Sequence, residues 1–205
     1  HPLVRDGGPM IDADEITRSL KGSWRLLLGD PRGMSFFDTS IDGFWRSFGV
    51  MILCLPMPLI ELSAQRLLPV AGRIAPEVMQ GPLYWLGGLG AYALSWIAYP
   101  VLLALLAKPL GIARVYVPYM VARNWTTLIG VVPSLVVTLL FLLGLLPLEA
   151  VGPLNLAALG FGLYYAWQVT RIACAAPPGL TGGLVALDFL VSLVVYTAAD
   201  RLVGL

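Results

Sequence analysis

Asp188, Ser192, Tyr196 and Asp200 recur every four residues near the end of the chain. On a helix that spacing puts all four on one face. Leu, Val and Phe fill most of the remaining positions, so the pattern is a polar stripe on an apolar helix. A carboxyl in line with two hydroxyls suits proton or cation handling, and it equally suits a structural hydrogen bond. An aspartate at mid-membrane costs about 2.5–3.5 kcal/mol on insertion scales, so this side must face protein or water. Tyr164, Tyr165 and Gln168 on the preceding antiparallel segment are the expected partners of Asp188. The candidate intramembrane face is therefore Asp188, Ser192, Tyr196 and Gln168, with a structural role preferred to transport. On that view Asp188→Asn folds normally, whereas Asp188→Leu strands a partner at a cost of about 1–3 kcal/mol.

Other chemistry is thinly represented. His1 is the sole histidine, and Cys54 and Cys174 are the two cysteines, one within an apolar run and one in an expected short loop. They read as unpaired thiols at different depths. No set of residues has metal-ligand spacing, and there is no Walker loop, zinc-protease helix or serine-nucleophile elbow. A loose dinucleotide fingerprint at 88–93 lacks a preceding strand and falls inside an apolar run. Asn124-Trp125-Thr126 matches a glycosylation acceptor but lies too close to the bilayer. No catalytic residue, metal ligand or cofactor is expected. Glu61 reads as interfacial, and Arg123 and Asn124 as residues at the inner end of a span, where arginine can snorkel.

The elements that position these residues follow from composition. The chain has 205 residues, 58% hydrophobic and 12% charged, with mean hydropathy +0.82. Soluble domains carry about 25% charged residues, so this composition excludes a soluble enzyme. A net charge of +1 leaves no basic field for nucleic acid. Crossing a bilayer core takes about 20 apolar residues. Five stretches qualify: 44–64, 82–107, 126–146, 151–170 and 181–199, the third with a possible earlier start through 115–122. The fold class expected is all-α, a polytopic bundle of five spans, with connections at 147–150 and 171–180. Pro56, Pro58, Pro100 and Pro133 fall within spans and predict kinks, since neighbours can satisfy the freed carbonyls. Residues 1–9 read as an expression scar or upstream extension, 10–43 as a cytoplasmic segment and 44–205 as the membrane domain. Ten Lys and Arg fall on one side of this plan and three on the other, which predicts a cytoplasmic N-terminus and an outside C-terminus in a cell membrane.

Ahead of the first span, Asp12 and Glu15 form a potential capping box. Ile16, Leu20, Trp24, Leu27 and Leu28 follow as an apolar stripe, with Arg18, Lys21 and Arg25 to one side. The spacing predicts an amphipathic helix, ended by the turn Asp30-Pro31-Arg32-Gly33. It suits either the headgroup plane, with Arg18, Lys21, Trp24 and Arg25 at the lipid interface, or the inner face of the bundle itself. The lipid bilayer, anionic headgroups and other membrane subunits are the expected partners, and nucleic acid is not.

Small residues at spacing four mark three packing seams: Gly87, Ala91 and Ser95; Thr126, Gly130, Ser134 and Thr138; and Ala158, Gly162, Ala166 and Thr170. The layout of an N-terminal segment and five spans resembles the Yip1-domain membrane proteins. The residues from Trp24 to Gly33, with their Pro31-Arg32 turn, look like the helix and turn before the first span in bacterial members. The later part of the chain is similar to small uncharacterised membrane proteins of proteobacteria. The resemblance implies membrane organisation and partner binding in a bacterial inner membrane, with no catalytic residues. The expected function is a non-enzymatic accessory, scaffold or membrane-organising subunit; the alternative is a small transporter or channel using the face around Asp188.

Overall fold

The computed structural model describes residues 11–67 and 81–203. The proposed extension at 1–9 and Arg73 of the first loop lie outside the described residues. The described residues are all-helical, without a strand.

Helix α1, Ala13–Leu27, starts at Asp12, whose carboxylate accepts the Glu15 N–H at 2.6 Å. The capping box is half formed, because the Glu15 carboxylate turns instead to Arg46 at 3.1 Å. Gly29, at φ +77°, ends α1 in the left-handed region. Its N–H reaches Leu26 O and the Asp30 N–H reaches Arg25 O, which satisfies two carbonyls of the last turn. A 3-10 turn, Pro31–Phe36, folds back on α1. The two cross at Gly22 and Gly33, where a Cβ on either residue would come within 2.8 Å and 2.7 Å of the other's carbonyl oxygen.

The first apolar stretch is three short helices: α2 (Ile41–Ser47), α3 (Val50–Leu53) and α4 (Pro56–Gln65). The break before α4 is where Pro56 lacks an N–H. There the Leu55 N–H turns to Ile52 O, and the Met51 carbonyl accepts the Tyr92 hydroxyl at 2.7 Å. The expected kink is present, with a neighbour satisfying a freed carbonyl.

Helix α5, Pro82–Leu106, spans 25 residues, about 38 Å at 1.5 Å per residue. The third stretch is α6 (Tyr116–Gly130) and α7 (Val132–Leu142), broken at Val131 ahead of Pro133. It therefore begins ten residues before the expected position 126. Arg123 and Asn124 lie inside the helix rather than at its inner end, because both have partners within the protein. Helix α8, Leu148–Cys174, begins at the expected turn 147–150, so the connection is shorter and earlier. The expected loop 171–180 is mostly helical: α8 runs to Cys174, a buried helical residue, and α9 (Pro178–Val203) follows at once.

Ile41–Gln65, Pro82–Leu106, Tyr116–Leu142 and Pro178–Leu202 are each long and apolar enough to cross a membrane. Helix α8, with 27 residues, is as long but less apolar, since it carries Glu149, Asn155, Gln168 and Arg171. Helix α6 is central. It packs against α1, α2, α3 and α8, and buries Tyr119 to Ala122 together with Asn124, Trp125 and Thr126. Helices α5 and α9 form an antiparallel pair at the side of this group.

Candidate functional site

Near the centre of the described residues lies a partly buried charge pair. Arg123 on α6 donates from Nε and Nη2 to the two carboxylate oxygens of Asp188 on α9, at 2.8 and 2.7 Å. This fork-to-fork geometry is the strong form of a carboxylate–arginine contact. The Arg123 guanidinium also lies over the Tyr99 ring of α5, 4.9 Å from its centroid. From Tyr99 a hydroxyl chain continues: Tyr99 Oη and Tyr119 Oη are 2.9 Å apart, and Thr170 Oγ1 of α8 donates to Tyr119 Oη at 3.2 Å. Four helices meet through these five side chains.

The tyrosines and glutamine expected beside Asp188 are elsewhere. Tyr165 donates its hydroxyl to Ser23 O of α1 at 2.6 Å. Gln168 donates to the Tyr164 hydroxyl at 3.3 Å in an exposed position. Tyr165 lines the same cleft as Asp188 but gives its hydroxyl to α1, and Gln168 stands beside Gly29 at the end of α1. The partner of Asp188 is a cation, so asparagine is not a neutral replacement but leaves a guanidinium unpaired.

A cleft of about 170 Å³ opens beside the pair, between α6 and α8. Tyr119, Thr126, Thr127 and Thr170 supply its hydroxyls, and Gly130 and Gly162 its width. The Thr126 and Thr127 hydroxyls both donate to Arg123 O, which leaves their lone pairs for other donors. About a fifth of each charged side chain remains exposed, 19% for Arg123 and 20% for Asp188. The α8 seam explains the cleft: a Cβ on Gly162 would meet nothing within 4 Å, so this glycine makes space rather than a close contact. The α6 seam is tighter, with Gly130 facing the Tyr165 ring.

The stripe on α9 divides. Asp188 turns to Arg123, and Ser192 is half-buried. Tyr196 and Asp200 line a smaller cavity of about 70 Å³ with Glu61, Gln65 and Tyr84. Tyr84 donates its hydroxyl to Leu62 O at 2.9 Å, tying α5 to the end of α4.

At the other end, Arg46 joins Glu15 of α1 and Asp38, at 3.1 and 2.5 Å. Asn124 donates to Ser47 Oγ at 3.0 Å. Helix α1 packs on α6 and α8 and buries Glu15, Ser19, Gly22, Ser23 and Leu26, Gly22 against the 3-10 turn. Its buried face is thus small and polar apart from Leu26. Trp24 remains 55% exposed, with Leu28 and Lys21 beside it. Arg18 donates to Phe36 O at 3.1 Å, and the Arg25 guanidinium lies 5.0 Å from the Phe36 centroid. The Arg32 side chain beside Asp30 holds that carboxyl below its ordinary value, chiefly by direct hydrogen bonding.

The Arg123–Asp188 pair escaped the sequence reading. The available signal was that Arg123 stands in a nearly uninterrupted apolar run from Val115, which is an unusual place for an unpartnered cation. Comparison with known protein families, characterised proteins and solved structures gives no match.

Proposed function

We propose that the chain is a non-enzymatic integral membrane protein that acts as an accessory or scaffold subunit. In this reading five helices span the membrane, the stretch α2 to α4 first and α9 last, with the N-terminus cytoplasmic and the C-terminus outside. Helix α8 crosses with Tyr165 and Thr170 turned to protein, while Glu149 and Arg171 lie near its two ends. Lipid, anionic headgroups and other membrane subunits are the partners, in keeping with the Yip1-like layout and a bacterial inner membrane.

One observation carries the choice. Both oxygens of the Asp188 carboxylate, midway along an apolar helix, are engaged by Arg123. The charge is committed to joining α6 to α9, two helices otherwise linked through α5 and α8. A group that carries protons or cations has to release and rebind them, and a forked ion pair opposes that.

The cleft beside the pair favours a second reading, a small transporter that uses the partly exposed Asp188. One experiment separates the two. The full-length protein and an Arg123→Met/Asp188→Leu double variant are reconstituted in liposomes and assayed for proton and monovalent-cation flux. In parallel, both are purified in mild detergent with whatever subunits accompany them. The scaffold reading expects no flux above protein-free vesicles and the same accompanying subunits for both proteins. Flux in the wild type that vanishes in a well-folded double variant would instead establish the transporter.

A further inference from the structure

We propose that the groove between α1 and the 3-10 turn is a binding site for one anionic phospholipid, its phosphate held between Lys21 and Arg25. The proposal rests on the membrane reading above and adds to it a defined site. Its first support is the direction in which α1 faces. Helix α1 buries Leu26 with Glu15, Ser19, Gly22 and Ser23 and packs Ile16 and Leu27 on the core, yet leaves Trp24 and Leu28 outside beside Lys21. Large apolar side chains exposed next to a cation suit the headgroup boundary of a bilayer. Ile41 and Trp45 on α2 are likewise 63% and 67% exposed.

The second support is charge. Residues 18 to 32 carry four cations, Arg18, Lys21, Arg25 and Arg32, against the single carboxylate of Asp30. Both Asp30 oxygens are taken by Arg32 Nε, at 2.9 and 3.1 Å, which leaves Arg25 a long contact of 3.4 Å. Lys21 has no carboxylate within ion-pair distance among the described residues. Asp14, one turn before Arg18, is the other acid on this side of α1.

The third support is preorganisation. The groove is lined by Thr17, Leu20, Lys21, Trp24, Arg25 and Phe36. Phe36 is fixed by two arginines, its carbonyl by Arg18 and its ring by Arg25. The ring in turn keeps the Arg25 guanidinium beside the groove, 5.0 Å from its centroid, where it can meet a phosphate, while Lys21 adds a point charge. Leu20 and Trp24 offer apolar surface to the glycerol and first methylenes. The site fits a lipid of the inner leaflet, where the surface charge is negative.

The test uses the full-length protein in detergent micelles. It is titrated with brominated phosphatidylglycerol or brominated phosphatidylcholine, and tryptophan fluorescence is read. Subtracting the signal of Trp24→Phe isolates Trp24. We expect phosphatidylglycerol to quench Trp24 at a much lower mole fraction than phosphatidylcholine. Lys21→Gln and Arg25→Gln should each weaken that preference roughly fivefold. Inorganic phosphate should not reverse the quenching, because it lacks the acyl chains. Equal quenching by the two lipids would overturn the site while leaving α1 lipid-facing. Absence of any quenching of Trp24 would overturn the lipid-facing placement itself. Reversal by inorganic phosphate would mean a free-anion site in place of a lipid site. The comparison of the two lipids needs only the wild type and the conservative Trp24→Phe, so it decides the matter even if Lys21→Gln or Arg25→Gln fails to fold.

Discussion

The Tyr92 hydroxyl lies 2.7 Å from the Met51 carbonyl, a bond between α5 and α3 across 41 residues of sequence. It occupies the place that a helical N–H would fill if Pro56 did not interrupt the ladder. In an apolar environment the carbonyl has no water to turn to, so the tyrosine is part of the kink. Tyr92→Phe should lower thermal stability, with a loss of about 1–3 kcal/mol. Replacing Pro56 by alanine in the same background should recover part of it by letting the ladder close. Thermal unfolding of the detergent-solubilised protein checks both; an unchanged midpoint for Tyr92→Phe would remove the bond from the account.

The Arg123–Asp188 pair makes a directional prediction. Removing one partner of a buried pair costs about 3–5 kcal/mol at full burial, and less here because a fifth of each side chain is exposed. Asp188→Asn and Arg123→Met should each destabilise, while Arg123→Met/Asp188→Leu should lie close to wild type. The exchange Arg123→Asp/Asp188→Arg should recover part of the loss. A double-mutant cycle read by thermal unfolding measures the coupling; additive losses would argue against a direct pair.

Gly22 and Gly33 test the docking of the 3-10 turn. A Cβ at either position would face backbone carbonyl oxygen at under 3.0 Å, and backbone cannot give way as a flexible side chain can. Gly22→Ala and Gly33→Ala should each separate α1 from the turn and cost about 1–3 kcal/mol. Faster proteolysis between residues 28 and 40, with the remaining helices protected, is the expected readout.

Ala175 closes α8 at φ 46°, a left-handed conformation that its Cβ disfavours by about 1–2 kcal/mol. Its N–H and that of Ala176 bond back to Ile172 O and Arg171 O, the arrangement that glycine usually serves. Ala175→Gly should therefore stabilise the protein by roughly 0.5–1 kcal/mol, after allowing for the greater freedom of glycine in the unfolded chain. A lower unfolding midpoint would show that the methyl group contributes packing greater than the backbone strain.

The apolar helices were legible because a bilayer demands about 20 apolar residues whatever the protein does. The breaks at Pro56 and Pro133 were legible too, since a missing N–H has a local effect, whereas α5 runs on through Pro100. The start of the third stretch is open in the sequence between 126 and an earlier start through 115–122, and the helix takes the earlier one. Hydropathy scores Arg123 and Asn124 as polar wherever they stand, and cannot see that Asp188 and Ser47 await them in other helices. Helix α1 was legible as a helix, but its stripe leaves two facings open, the headgroup plane and the inner face of the bundle. Spacing does not show that Ser19 and Ser23 are buried while Trp24 stays exposed. The glycines of α8 were read as a seam because spacing alone does not distinguish a glycine that admits a neighbour from one that leaves a cleft.

The ion pair also sets an order of events during synthesis. Arg123 enters the membrane 65 residues before Asp188 has been translated. Until α9 arrives, α6 holds a cation in an apolar stretch at a cost of about 2.5–3.5 kcal/mol on insertion scales. The last helix is then the one that neutralises it. A chain that stops short of residue 188 carries an exposed charge inside the bilayer, a mark by which membrane quality control can distinguish an unfinished molecule from a complete one.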